Sequence, residues 1–119
     1  MARILLAEDD PSMRGFLARA LIKAGHDVVD VADGEAAMNW LSNGEFDLLL
    51  ADIVMPGING IDLAKRIKKD TSGLKVMLIT GFAAVALKAQ DEAGLDAKVL
   101  SKPFHLNTLV DEVDKLLAA

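Results

Sequence analysis

Phe46-Asp47-Leu48-Leu49-Leu50-Ala51-Asp52-Ile53-Val54-Met55-Pro56-Gly57 decides how this chain folds. Leu48 to Ala51 are an unbroken apolar run that leads straight into a carboxylate, and a Pro-Gly turn follows. An apolar run of that length bounded by turn residues reads as a strand covered on both faces, the habit of parallel sheets. Pro56 has no N–H to give a ladder, so the strand is expected to end near Asp52. One charged group is then left at the carboxyl end of a central strand, where open α/β sheets bind their ligands. A lone Asp can also serve a turn, and the rest of the chain decides between the two.

On the amino-terminal side, Arg3-Ile4-Leu5-Leu6-Ala7 is a first short buried strand running into Glu8-Asp9-Asp10. Asp10-Pro11 has the form of a helix start. Met13, Phe16, Leu17, Ala20, Leu21 and Ala24 recur at helical spacing, and Gly25 stops the helix. Val28, Val29 and Val31 form a second strand. Asp33-Gly34 opens a helix carrying Ala36, Ala37, Trp40 and Leu41, closed by Asn43-Gly44. After the central strand and the loop 56–60, Ile61, Leu63, Ala64 and Ile67 mark a third helix, whose basic turn of Lys65, Arg66, Lys68 and Lys69 reads as a solvated helix end. Val76 to Thr80 is a fourth buried strand broken by Gly81. An alanine-rich helix over 83–93 ends at Gly94, and Val99-Leu100 is a short fifth strand. Ser101-Lys102-Pro103-Phe104 leads to a last amphipathic helix bearing Leu106, Leu109, Val110, Val113, Leu116 and Leu117. Strand and helix alternate five times, which predicts an α/β fold, a doubly wound parallel sheet with right-handed crossovers. By precedent its order is 2-1-3-4-5, the flavodoxin-like (βα)5 arrangement.

Composition narrows the classes. A length of 119 residues suits one domain, 1–119, with no room for a separate output domain. Apolar residues at 52% are enough for a core, and with four Phe, one Trp and no Tyr that core must be aliphatic. A net charge of -5 argues against nucleic-acid contact, which draws on a concentrated positive surface. The absence of cysteine excludes disulfides and thiolate chemistry. Ile4 to Ala7 is too short for a signal peptide, and no stretch approaches the roughly 18 apolar residues of a membrane span. A cytoplasmic protein is expected.

In the order 2-1-3-4-5, Glu8 and Asp9 stand beside Asp52, with Thr80 and Lys102 at the next two strand ends. Three packed carboxylates repel and raise one another's pKa unless a cation sits among them. Hard oxygen ligands suit Mg²⁺, not zinc, since His26 and His105 lie elsewhere in the plan. A phosphoryl group is the fitting anionic partner. The metal and Lys102 would neutralise its oxygens, Thr80 would donate a hydrogen bond, and Asp52 would act as nucleophile to form an aspartyl-phosphate. Singly, Asp9 or Asp10 could be an N-cap, Thr80 a strand-end hydroxyl and Lys102 a loop cation. Their conjunction at successive strand ends points to function.

The whole pattern resembles the receiver domain of two-component response regulators, the CheY-like family. The resemblance implies that Glu8 and Asp9 hold Mg²⁺ together with Asp52 and the backbone carbonyl of Val54. It implies that Asp52 is the phosphoacceptor, Thr80 the switch hydroxyl and Lys102 the active-site lysine, followed by a proline commonly joined through a cis peptide. Met55-Pro56-Gly57 with Asn59-Gly60 resembles the family's loop after the phosphoacceptor. The implied activity is acceptance of a phosphoryl group from a histidine kinase or histidine phosphotransfer protein. Such a phosphoacceptor switch is not an enzyme on other substrates, and its readout is the surface of the alanine-rich helix, fifth strand and last helix.

The chain departs from the family in three places. Glu8 stands where Asp is commoner, Val99 takes the place of the switch aromatic, and Gly81 after Thr80 should open access to the site, which Val54 and Phe82 flank. Among stand-alone receivers the chain is most similar to the CpdR group, whose members deliver substrates to the ClpXP protease when unphosphorylated. Its Leu117-Ala118-Ala119 ending resembles tags that this protease reads. A degenerate receiver acting by constitutive binding, or a phosphorelay or chemotaxis receiver with another partner, are the alternatives. A flavin binder is disfavoured by the acidic triplet and a haloacid-dehalogenase-type phosphatase by Val54, while no P-loop is present. Trp40, Met13, Met38, Met55 and Met77 read as packing residues and His105 as structural or exposed.

Overall fold

Parallel strands bury both faces, and among the described residues each face of the sheet meets a different pair of helices. The computed structural model describes residues 2–70, 73–81 and 97–118, the side chains of 68–70 and 97 aside. Its strands are β1 (Arg3–Ala7), β2 (Asp27–Val31), β3 (Leu48–Asp52), β4 (Lys75–Thr80) and β5 (Ala97–Ser101). All pair in parallel, in the order β2-β1-β3-β4-β5. The described helices are α1 (Pro11–Lys23), α2 (Gly34–Asn43), α3 (Gly60–Asp70) and α4 (Leu106–Ala118). The expected alanine-rich helix over 83–93, its stop at Gly94 and Phe82 lie outside the described residues.

The period-two alternation of the strands sorts the core. Leu5, Ala7, Leu49, Ala51, Val76 and Leu78 turn to one face and pack with Ala37 of α2 and Leu63, Ala64 and Ile67 of α3. Ile4, Leu6, Leu48, Leu50, Met77 and Ile79 turn to the other, against Leu17 and Leu21 of α1 and Leu109 and Val113 of α4. Every residue of β3 is buried. Burial of each large aliphatic side chain contributes about 1.5–3 kcal/mol, so the central strands supply much of the core's stabilisation.

Helix ends follow from local chemistry. Asp10 accepts from the Ser12 N–H at 3.1 Å and Asp33 from the Ala36 N–H at 2.8 Å, each satisfying an orphan donor of the first turn. Asn59 does the same for Asp62 at 2.9 Å. α1 closes at Gly25, which takes a φ of 101° while its N–H donates to Ile22 and that of His26 donates to Leu21. That pairing is a Schellman closure, and it favours glycine.

Two assignments of apolar residues differ from the sequence expectation. Phe16 is 52% and Trp40 44% exposed. The buried arc of α1 is centred on Leu17, Ala18 and Leu21, which leaves Phe16 on the shoulder facing α4. α2 lies close to its neighbours through Gly34 and Ala37, and a Cβ at Gly34 would stand 2.5 Å from the Ile58 carbonyl oxygen. Gly34 and Ala37 are the buried positions of α2, and Trp40 lies outside that arc. Met55 and Met77 are buried, and Met13 and Met38 are half-buried against the core.

Candidate functional site

Four strands deliver their carboxyl ends to one edge of the sheet. Glu8 follows β1, and its N–H still donates to the Val31 carbonyl at 3.0 Å. Its side chain is buried. Oε2 accepts from the Asp10 N–H at 3.2 Å and Oε1 from Lys102 Nζ at 3.1 Å. Asp52 ends β3, also buried, with Oδ1 accepting from the Val54 N–H at 3.1 Å and Oδ2 from Lys102 Nζ at 3.1 Å. Asp9 is exposed, and one oxygen each from Glu8, Asp9 and Asp52 lie within 4.8 Å of one another. Thr80 is fully buried at the end of β4, one step past Ile79, the register partner of Asp52. Lys102 leaves β5 with its N–H on the Thr80 carbonyl at 2.6 Å, and the Lys102–Pro103 peptide is cis. The sheet edge thus gathers every site residue read from the sequence, and contacts join Glu8, Asp52 and Lys102 directly.

The electrostatics are those of a buried acidic cluster with an internal counter-cation. Burial is the largest influence on Glu8 and pushes its carboxyl up from 4.5 to about 7. The Asp10 N–H opposes the rise, and the Asp52 charge adds to it. Desolvation therefore outranks the mutual repulsion expected from sequence. Burial by itself would lower Lys102, but hydrogen bonds and charge from Asp52 and then Glu8 outweigh it and hold the ammonium above the ordinary lysine value.

The donor set fits a hard divalent cation. Glu8, Asp9 and Asp52 each offer a carboxylate oxygen, and the burial that pushes the Glu8 carboxyl up is a cost a cation would offset. His26 lies towards the opposite end of the sheet, where Nδ1 accepts from the Ala2 N–H and Nε2 meets Asp114 at 3.1 Å. His105 is exposed just before α4.

Sequence reasoning missed the backbone that frames Asp52. The Val54 N–H holds its carboxylate, while the Val54 side chain is 51% exposed beside it. Gly60 lies so near that an added Cβ would come within 2.5 Å of the Asp52 carbonyl oxygen. The Asn59-Gly60 pair carried that information as a cap followed by a residue with no side chain. Arg14, whose Nη1 donates to the Glu8 carbonyl, gave no sign beyond its place in the first turns of α1. Gly81 is exposed, and a Cβ there would touch nothing within 4 Å among the described residues. Val99 is half-buried against the core face of α2 and α3.

Known proteins are similar to this chain in sequence and in fold. Residues 4–114 match the model of the response regulator receiver domain. The response regulator receiver protein CpdR of Brucella abortus is 56% identical over 119 residues, covering all of this chain and 99% of that protein. The transcriptional regulatory protein TcrA of Mycobacterium tuberculosis is 38% identical over 110 residues, and there the match spans 42% of the relative. The response regulator TrrA of Thermotoga maritima, solved in complex with Mg²⁺ and BeF, superposes with a TM-score of 0.88 at 32% identity, over 98% of this chain and 99% of that one. With its five parallel strands, its acidic sheet edge and these relatives, the chain belongs to the response regulator receiver domain family.

Proposed function

We propose that this protein is a stand-alone receiver switch in which Asp52 accepts a phosphoryl group from a phosphohistidine of a histidine kinase or histidine phosphotransfer protein. Glu8, Asp9, Asp52 and the Val54 carbonyl are the residues that would hold Mg²⁺. The observation that carries this is the cluster of three carboxylates within 4.8 Å, bridged from Glu8 to Asp52 by one lysine ammonium. Bound Mg²⁺ supplies the positive charge that lets a dianionic phosphoryl group approach three acids.

The remaining steps belong to the chain itself. An Asp52 oxygen attacks phosphorus, the P–N bond breaks, and the imidazole leaves neutral because its other ring nitrogen carries a proton. Lys102 already lies on Asp52 and can follow the charge onto a phosphoryl oxygen. Thr80 supplies a hydroxyl at the adjacent strand end. The Lys102 N–H bond to the Thr80 carbonyl ties β4 to β5, so charge added at Asp52 biases the packing of β5 and α4. A trough beside the site offers the donor a surface. Two hollows of about 690 and 430 Å³ between α1 and α4 share Phe16 and Leu106, and the second reaches Lys102.

The output is a protein contact made by one receiver domain in the cytoplasm. Similarity to CpdR along its full length supports control of ClpXP-dependent proteolysis as an adaptor. Treatment with a small phosphodonor and Mg²⁺, followed by borohydride trapping and peptide mass mapping, is expected to place one adduct on Asp52. EDTA or Asp52→Ala should abolish it. An adduct elsewhere, or none with magnesium supplied, sinks the proposal. For the output, binding to ClpXP should fall when beryllofluoride and Mg²⁺ are added to wild type and stay constant in Asp52→Ala.

A further inference from the structure

β1 pairs with both neighbours only as far as Ala7, so the Glu8 carbonyl lies beyond its ladders. Arg14 meets that carbonyl from α1, with Nη1 donating to the oxygen at 3.0 Å. On its other side the Arg14 Nε lies 3.6 Å from Asp30 of β2. One guanidinium therefore joins the end of β1, the first turns of α1 and the edge strand. Its side chain is 23% exposed and that of Asp30 47%, so as an ion pair it contributes little to stability. Its consequence is geometric.

We infer that Arg14 is a positioning residue for the divalent cation, strapping the Glu8–Asp9 peptide to Asp30 so that both acidic side chains are held in place. The inference rests on Glu8 and Asp9 being ligands. The Glu8 carbonyl and the Asp9 N–H belong to one planar peptide, so fixing that oxygen fixes the plane from which both ligands project. The Glu8 N–H is already bound to Val31, and Arg14 pins the other end of the residue. Mg²⁺ demands near-ideal octahedral geometry, whereas Ca²⁺ accepts irregular sets of oxygens. A loosened strap should therefore weaken Mg²⁺ selectively. The guanidinium charge acts in the opposite sense, since it disfavours a nearby cation, and the informative substitution keeps that charge. Arg14→Lys does so while losing the fork that serves two acceptors at once.

Titration calorimetry of the full chain with Mg²⁺ and separately with Ca²⁺ tests this, beside hydrogen exchange at the Asp9 amide in EDTA. Arg14→Lys is expected to weaken Mg²⁺ about tenfold, within the range for partners that orient metal ligands. Its Ca²⁺ affinity should change less than about twofold, and its Asp9 amide should exchange faster with no metal present. Asp30→Asn should move both readouts in the same direction by less. Unchanged Mg²⁺ affinity in Arg14→Lys overturns the strap. So does an equal loss of both metals alongside a lowered urea midpoint, the mark of a merely structural residue. A wild-type protein that binds no Mg²⁺ overturns the proposed function and the strap with it.

Discussion

Replacing Glu8 with Gln should make the metal-free protein more stable at alkaline pH while removing its response to Mg²⁺. In the folded chain the Glu8 carboxyl is 1% exposed and titrates at about 7, against 4.5 for the unperturbed group. Between those values the folded protein holds a proton that the unfolded chain has released. Stability contributed by the neutral acid is therefore complete below about pH 4.5 and is lost as pH rises through about 7. At about 1.4 kcal/mol for each pH unit between the two, wild type should lose about 2–3 kcal/mol from pH 5 to 8 through this group. For a chain of this size that is a fall of about 10 °C in Tm.

Gln is close in shape to the protonated acid: its amide oxygen can still accept from the Asp10 N–H, and its NH2 takes the place of the oxygen beside Lys102. The variant should match wild type near pH 5 in EDTA and exceed it by about 2–3 kcal/mol at pH 8, with every shared titration cancelling in the difference. Urea unfolding followed by far-UV circular dichroism across that range measures it. Added Mg²⁺ should stabilise wild type by mass action and leave Glu8→Gln unmoved. Parallel pH slopes in the two proteins would refute burial as the cause of the raised carboxyl. A variant less stable at pH 8 would show that the Glu8–Lys102 pair outweighs the cost of desolvation.

Two further substitutions test the frame around the site. Gly60→Ala sets a methyl against the Asp52 carbonyl and the Ile53 Cα, at 2.5 and 2.9 Å, where only backbone can give way. It should cost about 1–3 kcal/mol in urea titration and weaken Mg²⁺ binding, because β3 must shift to relieve the contact. Leu50→Ala, in the middle of β3 and 0% exposed, should cost about 2–5 kcal/mol and leave Mg²⁺ affinity within about twofold. Reversal of that contrast, with Leu50→Ala the more damaging to metal binding, would deny that the site is framed by the loop after Asp52.

Much of this was written locally. The run Leu48 to Ala51 is apolar throughout because both faces of β3 are covered, and the caps at Asp10 and Asp33 and the stop at Gly25 are each set by one or two residues. Acid, threonine and lysine each stand at or just past a strand's carboxyl end, so strand order alone brought them to one edge. Phe16 and Trp40 were misplaced because helical spacing tells which residues share a face, not how wide an arc the neighbours cover. Arg14 was silent for a different reason. Its partners sit on two other elements, six and sixteen positions away, and no periodicity joins them.

Val99 where the family places an aromatic raises the question of how a charge on Asp52 would be read at a distance. Lys102 supplies a route that needs no ring. Its ammonium bridges Glu8 and Asp52, and its raised pKa keeps it charged throughout the neutral range. Its backbone directly follows β5 and hangs from the Thr80 carbonyl. A phosphoryl group on Asp52 would draw that ammonium away from Glu8, which then keeps the metal and the Asp10 N–H as its partners. Displacement of Lys102 acts on the start of the Pro103-Phe104 turn, and Phe104 packs on the α1 and α4 side of the core. The half-buried Val99, on the opposite face, can stay where it is. The proposed switch thus runs through the lysine, and Lys102→Met should uncouple it: beryllofluoride and Mg²⁺ would still bind, but amide shifts in β5 and α4 would no longer follow. Full propagation of those shifts in the methionine variant would place the readout on another path.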